Sequence, residues 1–155
     1  MKVFLTTHPE SPTHADTFRE IAHPLVTHKM GWGNLEVVGS PQEANSVVML
    51  TPRHVMNSMF PDFAKDQLSV CDMRSGNIWI HEDRWFRHIP DKSQLPLPAY
   101  RTYVLQHEIG HAFGKQHDKC TPPGPVPVMV QQTLGIGECD PNPFPTQREL
   151  YKHRS

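Results

Sequence analysis

Apolar and polar positions fall into stretches of two different periods. Val3-Phe4-Leu5 within Lys2–Thr6 is a compact apolar run and predicts a short strand. Ser11-Pro12-Thr13 and Asp16 read as capping residues for a helix. Phe18, Ile21, Ala22, Leu25 and Val26 recur at helical spacing and give that helix one buried stripe, with Pro24 expected to kink or end it. Beyond the Gly31-Trp32-Gly33-Asn34 turn, Leu35–Gly39 and Ser46–Thr51 are valine-containing strand candidates. Leu68–Met73 and Asn77–His81 flank Arg74-Ser75-Gly76 as a hairpin. Proline is excluded from a helix interior but favoured in its first turn, so Leu95-Pro96-Leu97-Pro98 predicts a helix starting near Ala99. It should run to Phe113 and stop at Gly114. Strand, helix, then several strands predict an α+β fold, a twisted mixed sheet with a helix on one face.

Composition narrows the function classes. The chain has 155 residues, which suits one domain, and its formal charge of −1 offers no electrostatic footprint for nucleic acid. The longest aliphatic run, Val47-Val48-Met49-Leu50, is far short of a membrane span. The apolar segment after Met1 is too short for a signal-peptide core, implying either an intracellular protein or a removed leader. Three cysteines, Cys71, Cys120 and Cys139, permit at most one internal disulfide and leave at least one thiol. Seven of the sixteen prolines follow His117, so the last part of the chain should be ordered loop with little regular structure. Eleven histidines are an excess, which raises the question of whether any are arranged.

Three are. His107-Glu108-Ile109-Gly110-His111-Ala112-Phe113-Gly114-Lys115-Gln116-His117 is an H-E-x-x-H-x-x-G-x-x-H pattern. His107 and His111 lie one helical turn apart and can reach a single ion, while Gly114 supplies the turn that returns His117 as third ligand. Three protein ligands leave the fourth tetrahedral position to water, the arrangement of a catalytic zinc site with one Zn2+ per chain. Glu108 is then placed beside that water as general base. Leu105, Ile109, Ala112 and Phe113 form a second stripe, so the helix should be anchored in the core with its histidines facing a cleft. Asp118 is a candidate carboxylate for orienting an imidazole. His81, near Glu82 and Asp83, is a candidate substrate-side residue. His8, His14, His23, His28, His54, His88 and His153 lack metal spacing and should be solvent-facing or capping.

Pro125-Val126-Pro127-Val128-Met129-Val130 places a methionine in a proline-bounded turn twelve residues after His117. With the extended zinc motif, this resembles the metzincin metallopeptidases. The resemblance implies that Met129 forms an apolar floor under the imidazoles. Some metzincins carry a tyrosine two residues later; here Gln131 stands there, leaving Tyr100, Tyr103 or Tyr151 to substitute. Gly31-Trp32, Arg84-Trp85, Tyr100-Arg101-x-Tyr103, Cys120, Val128-Met129-x-Gln131-Gln132-Thr133, Cys139 and Asn142 look like a bacterial family of small metzincin-like domains of unassigned function.

That likeness implies a Cys120–Cys139 bridge with Cys71 free, or reduced thiols in a cytosolic protein. It also implies secretion, an upper part at 1–117 carrying the zinc helix, and a short, irregular C-terminal part at 118–155. The whole would be a single catalytic domain, expected to be a monomer acting on a peptide or protein substrate that pairs with the edge strand at Leu68–Met73. The alternatives are a non-catalytic zinc-binding or partner-binding domain of the same fold, or an amidase acting on a non-protein amide.

Overall fold

The computed structural model describes residues 1–87, 89 and 91–155; His88 lies outside them. The fold is α+β. Strands β1 (Lys2–Thr7), β2 (Glu36–Val37), β3 (Ser46–Thr51), β4 (Val70–Asp72) and β5 (Asn77–His81) form one mixed sheet in the order β2-β1-β3-β5-β4. The first four positions in that order run parallel, and β4 is antiparallel to β5 at the edge. The β2 and β4 strands are shorter than the apolar runs predicted, since only part of each run pairs.

Register explains the core. Leu5 lies beside Val48 and Val48 beside Ile78, while Leu50 lies beside Ile80 two residues further on. Side chains alternate across a pleated strand, so these residues form rows on one face. Phe18, Ala22 and Val26 from helix α1 (Ala15–Val26) and Leu105 and Ile109 from helix α5 (Leu97–Ala112) join the same core cluster. The α1 stripe is as the spacing predicts, but its start differs. His14 caps the helix, its side chain accepting the Asp16 amide, and Ser11 instead donates to Glu82 Oε2 at 2.6 Å. Pro24 is tolerated inside α1, two residues before its end.

Short helices α2 (Arg53–Met59), α3 (Pro61–Ala64) and α4 (Glu82–Phe86) fill connections that the sequence pattern leaves as loop. The C-terminal part is less irregular than its prolines suggest, because residues Gln147–Arg154 form helix α6. Thr146 caps α6, accepting from the Glu149 amide while the Glu149 side chain accepts from the Thr146 amide. No helix among the described residues is long and apolar enough to cross a membrane.

Candidate metal centre

Helix α5 begins where its prolines allow, with Pro96 as the capping residue and Pro98 in the first turn. Its middle is buried on nearly every side, from Thr102 to His111, rather than presenting one core face and one open face. The histidine face is covered because the turn carrying Met129 packs against it. A Cβ on Gly110 would collide with Met129 Sδ and stand 3.0 Å from Trp32 Cζ2, so glycine admits both neighbours to the helix surface. Trp32 is held there by its indole N–H, which donates to the Gln106 carbonyl at 2.8 Å.

Gly114 ends the helical trace with φ +92°, a backbone conformation in which a side chain is strained. The chain then returns, and His107, His111 and His117 each offer one ring nitrogen within 4.8 Å of the others. The Nδ1 of His107 lies 2.7 Å from the Val128 carbonyl, and that of His111 lies 2.7 Å from the Lys115 carbonyl. A carbonyl only accepts, so Nδ1 carries the proton in both rings and Nε2 keeps its lone pair for an ion. The Nε2 atoms of His111 and His117 are 3.1 Å apart. Two nitrogens bound tetrahedrally at about 2.0–2.1 Å would stand about 3.3 Å apart, so this pair is spaced to share one metal ion.

Loss of water disfavours the charged form of these imidazoles, most for the buried His107 and least for His117, which is exposed. It pushes His107 down to about 3, with the neighbouring His111 and His117 adding to the effect and the Val128 hydrogen bond opposing it. His111 and His117 are lowered as well, chiefly by burial. Glu108 is also buried, and its carboxyl is pushed up to about 8 by loss of water. Its Oε2 has no hydrogen-bond partner among the described residues. An orphaned buried acceptor is costly, so a polar ligand at this point is the simplest way to satisfy it.

The histidines and Glu108 line a cleft of about 220 Å³. Its opposite wall is the edge of the sheet: Leu68, Ser69, Val70, Cys71 and Met73, joined by Phe63. Cys71 is the free thiol there, raised to about 12 by burial and by the nearby Glu108 and Asp72 carboxylates. Phe63 and Met73 remain well exposed, giving the cleft an apolar rim.

The chain matches, over residues 20–152, a family described as "Protein of unknown function (DUF3152)". The chain belongs to the DUF3152 family. No curated protein and no solved structure matches it. The expected kinship with small domains of unassigned function therefore holds.

In this DUF3152 chain the Cys120–Cys139 disulfide forms, with S–S 2.00 Å, and closes the segment that carries Met129. Met129 is buried against α5. Asp118 does not meet the expectation set for it. It is exposed, its carboxylate accepts the Lys119 amide at 2.8 Å, and main-chain carbonyls hold the His107 and His111 imidazoles instead. His81 is fully buried and caps α4 by accepting the Asp83 amide, so it is removed from the cleft.

Gln131 lines the cleft, as do Tyr100 and Tyr103. The Tyr103 hydroxyl donates to the Val130 carbonyl at 3.2 Å and accepts the Gln132 amide at 2.9 Å. Tyr100 pairs with Thr133 at 2.8 Å, while Tyr151 lies exposed on α6, outside the cleft lining.

Among the other histidines, His8 and His28 accept nearby amides, and His153 packs on Trp32 and Phe113. One residue of the site carries no signal in the histidine motif. Glu149 of α6 is buried and accepts the amides of Val128 and Met129 at 2.9 and 3.0 Å.

Proposed function

We propose that this chain is a zinc-dependent endopeptidase of metzincin type, a single catalytic domain over residues 1–155. The observation that carries the reading is the juxtaposition of the buried Glu108 carboxyl, one of whose oxygens has no partner among the described residues, with three imidazoles whose ring nitrogens lie within 4.8 Å of one another. His107, His111 and His117 would hold the ion. When bound, zinc supplies a water whose pKa is near 7 and a Lewis acid for the scissile carbonyl. Glu108 takes the proton of the attacking water and returns it to the amine nitrogen as the C–N bond breaks, so hydroxyl ends on the acyl carbon and hydrogen on the amine. Burial raises this carboxyl in the metal-free site, and the charge of a bound dication would favour the ionised form that accepts the proton.

The open edge of β4 supports an extended peptide as substrate, because its outward main-chain groups can pair with an added strand across the cleft. The apolar rim at Phe63 and Met73 favours a bulky apolar side chain near the scissile bond. One observation favours the second reading, a non-catalytic zinc-binding or partner-binding domain. Gln131 stands where some metzincins carry a tyrosine, and the hydroxyls of Tyr100 and Tyr103 are engaged within the fold.

Digestion of an unbiased peptide library by the zinc-loaded protein, read by mass spectrometry from pH 5 to 9, separates the two. Cleavage beside apolar residues is the expected result. Stoichiometric zinc with no cleavage anywhere in the library would establish the binding domain instead.

A further inference from the structure

Glu149 reaches the metal centre through a single peptide group. Its Oε2 accepts the Met129 N–H at 3.0 Å, and the Val128 carbonyl of that same peptide accepts His107 Nδ1–H at 2.7 Å. Its Oε1 accepts the Val128 and Thr146 amides, both at 2.9 Å. Acceptance on both oxygens is the behaviour of a carboxylate, and the group is only 8 % exposed. An anion bonded to a peptide N–H polarises the group and makes its carbonyl oxygen a stronger acceptor. A stronger acceptor on Nδ1–H raises the electron density at Nε2, the nitrogen left for the ion.

The relay is confined to one ligand. The Lys115 carbonyl that holds His111 belongs to a peptide whose N–H, on Gln116, makes no hydrogen bond among the described residues. We propose that Glu149 is a positioning residue of the metal centre, fixing the ring of His107 and strengthening it as a ligand through the Val128–Met129 peptide. This rests on the reading of the three histidines as zinc ligands and is independent of whether the site hydrolyses anything.

Glu149→Gln tests it. Glutamine has one acceptor oxygen, so it cannot serve both Met129 and the Val128 and Thr146 amides, and its NH2 then faces an N–H donor. Zinc affinity, measured by competition with a chromophoric chelator, should fall by about 10- to 100-fold. Thr146→Ala is the control. It removes the hydroxyl that caps α6 and donates to Glu149 Oε1 at 3.2 Å, but leaves the bond from Met129 to Oε2, so it should lower metal-free stability while holding zinc affinity within about threefold of wild type.

Equal affinity in Glu149→Gln and wild type overturns the relay and leaves the metal reading standing. A wild type that binds no zinc overturns both. Should Glu149→Gln fail to fold, the wild-type protein still decides by NMR. Zinc binding should move the Met129 amide proton downfield as the hydrogen-bond chain tightens, and an unmoved proton overturns the relay.

Discussion

Replacing Glu108 with glutamine should stabilise the metal-free protein at alkaline pH, and the size of the effect follows from burial. The carboxyl rises from an ordinary value of 4.5 to about 8 because ionisation inside the cleft forfeits water. Between those values the folded protein holds a proton that the unfolded chain has released. The stability contributed by Glu108 is therefore complete below pH 4.5 and is lost as the pH rises through 8. Integrated from pH 5 to pH 8, the loss is on the order of 3–4 kcal/mol. Glutamine fills the same space without titrating.

Urea titrations of wild type and Glu108→Gln in excess chelator, at pH 5 and pH 8, give four free energies and one double difference. The histidines act in the opposite direction: His107, lowered to about 3, withdraws stability as the pH falls from 6.5 through 3. They are common to both proteins and cancel. The expected double difference is on the order of 3–4 kcal/mol in favour of the variant at pH 8. A value under about 1 kcal/mol would refute the claim that Glu108 is stranded in a water-poor site.

Two further perturbations address the scaffold. Gly110→Ala should gain about 1 kcal/mol of helix propensity and lose about 1–3 kcal/mol to the collision with Met129 and Trp32. The net expectation is a lower melting temperature together with weaker zinc binding, and a raised melting temperature would contradict the packing described for the Met129 turn. Removing the Cys120–Cys139 bridge by a double serine substitution should cost about 3 kcal/mol, given a sequence separation of 19. Denaturant titration with and without reductant checks it; an unchanged midpoint would show that the loop is held by its other contacts alone.

Much of the scaffold was legible because it rests on period. The strands at Lys2–Thr7, Ser46–Thr51 and Asn77–His81 follow from short apolar runs bounded by turn residues, and the stripe of α1 from helical spacing. Helices of four to seven residues, such as α2, α3 and α4, are too short for a periodic pattern to register. The α6 helix is different, since Thr146-Gln147-Arg148-Glu149 is a capping box open to reading, hidden by the prolines before it.

In the site, His107, Glu108 and His111 are fixed by one turn of helix, which spacing reveals. What orients them does not show in spacing. The partners of His107 and His111 are backbone carbonyls, which every residue has, so the sequence offers only a neighbouring side chain such as Asp118 as a candidate. Glu149 escaped for the same reason, because it bonds to amides 20 and 21 residues away.

The central claim is that Glu108 works beside a zinc ion to hydrolyse peptides. It is tested most directly by comparing Glu108→Ala with wild type at equal zinc content, on a peptide that the wild type cleaves. The account predicts about one zinc per chain in both proteins and a fall in kcat of about 10²- to 10⁴-fold in the variant. Full activity in a zinc-loaded Glu108→Ala would contradict it, as would a wild type that carries zinc and cleaves nothing.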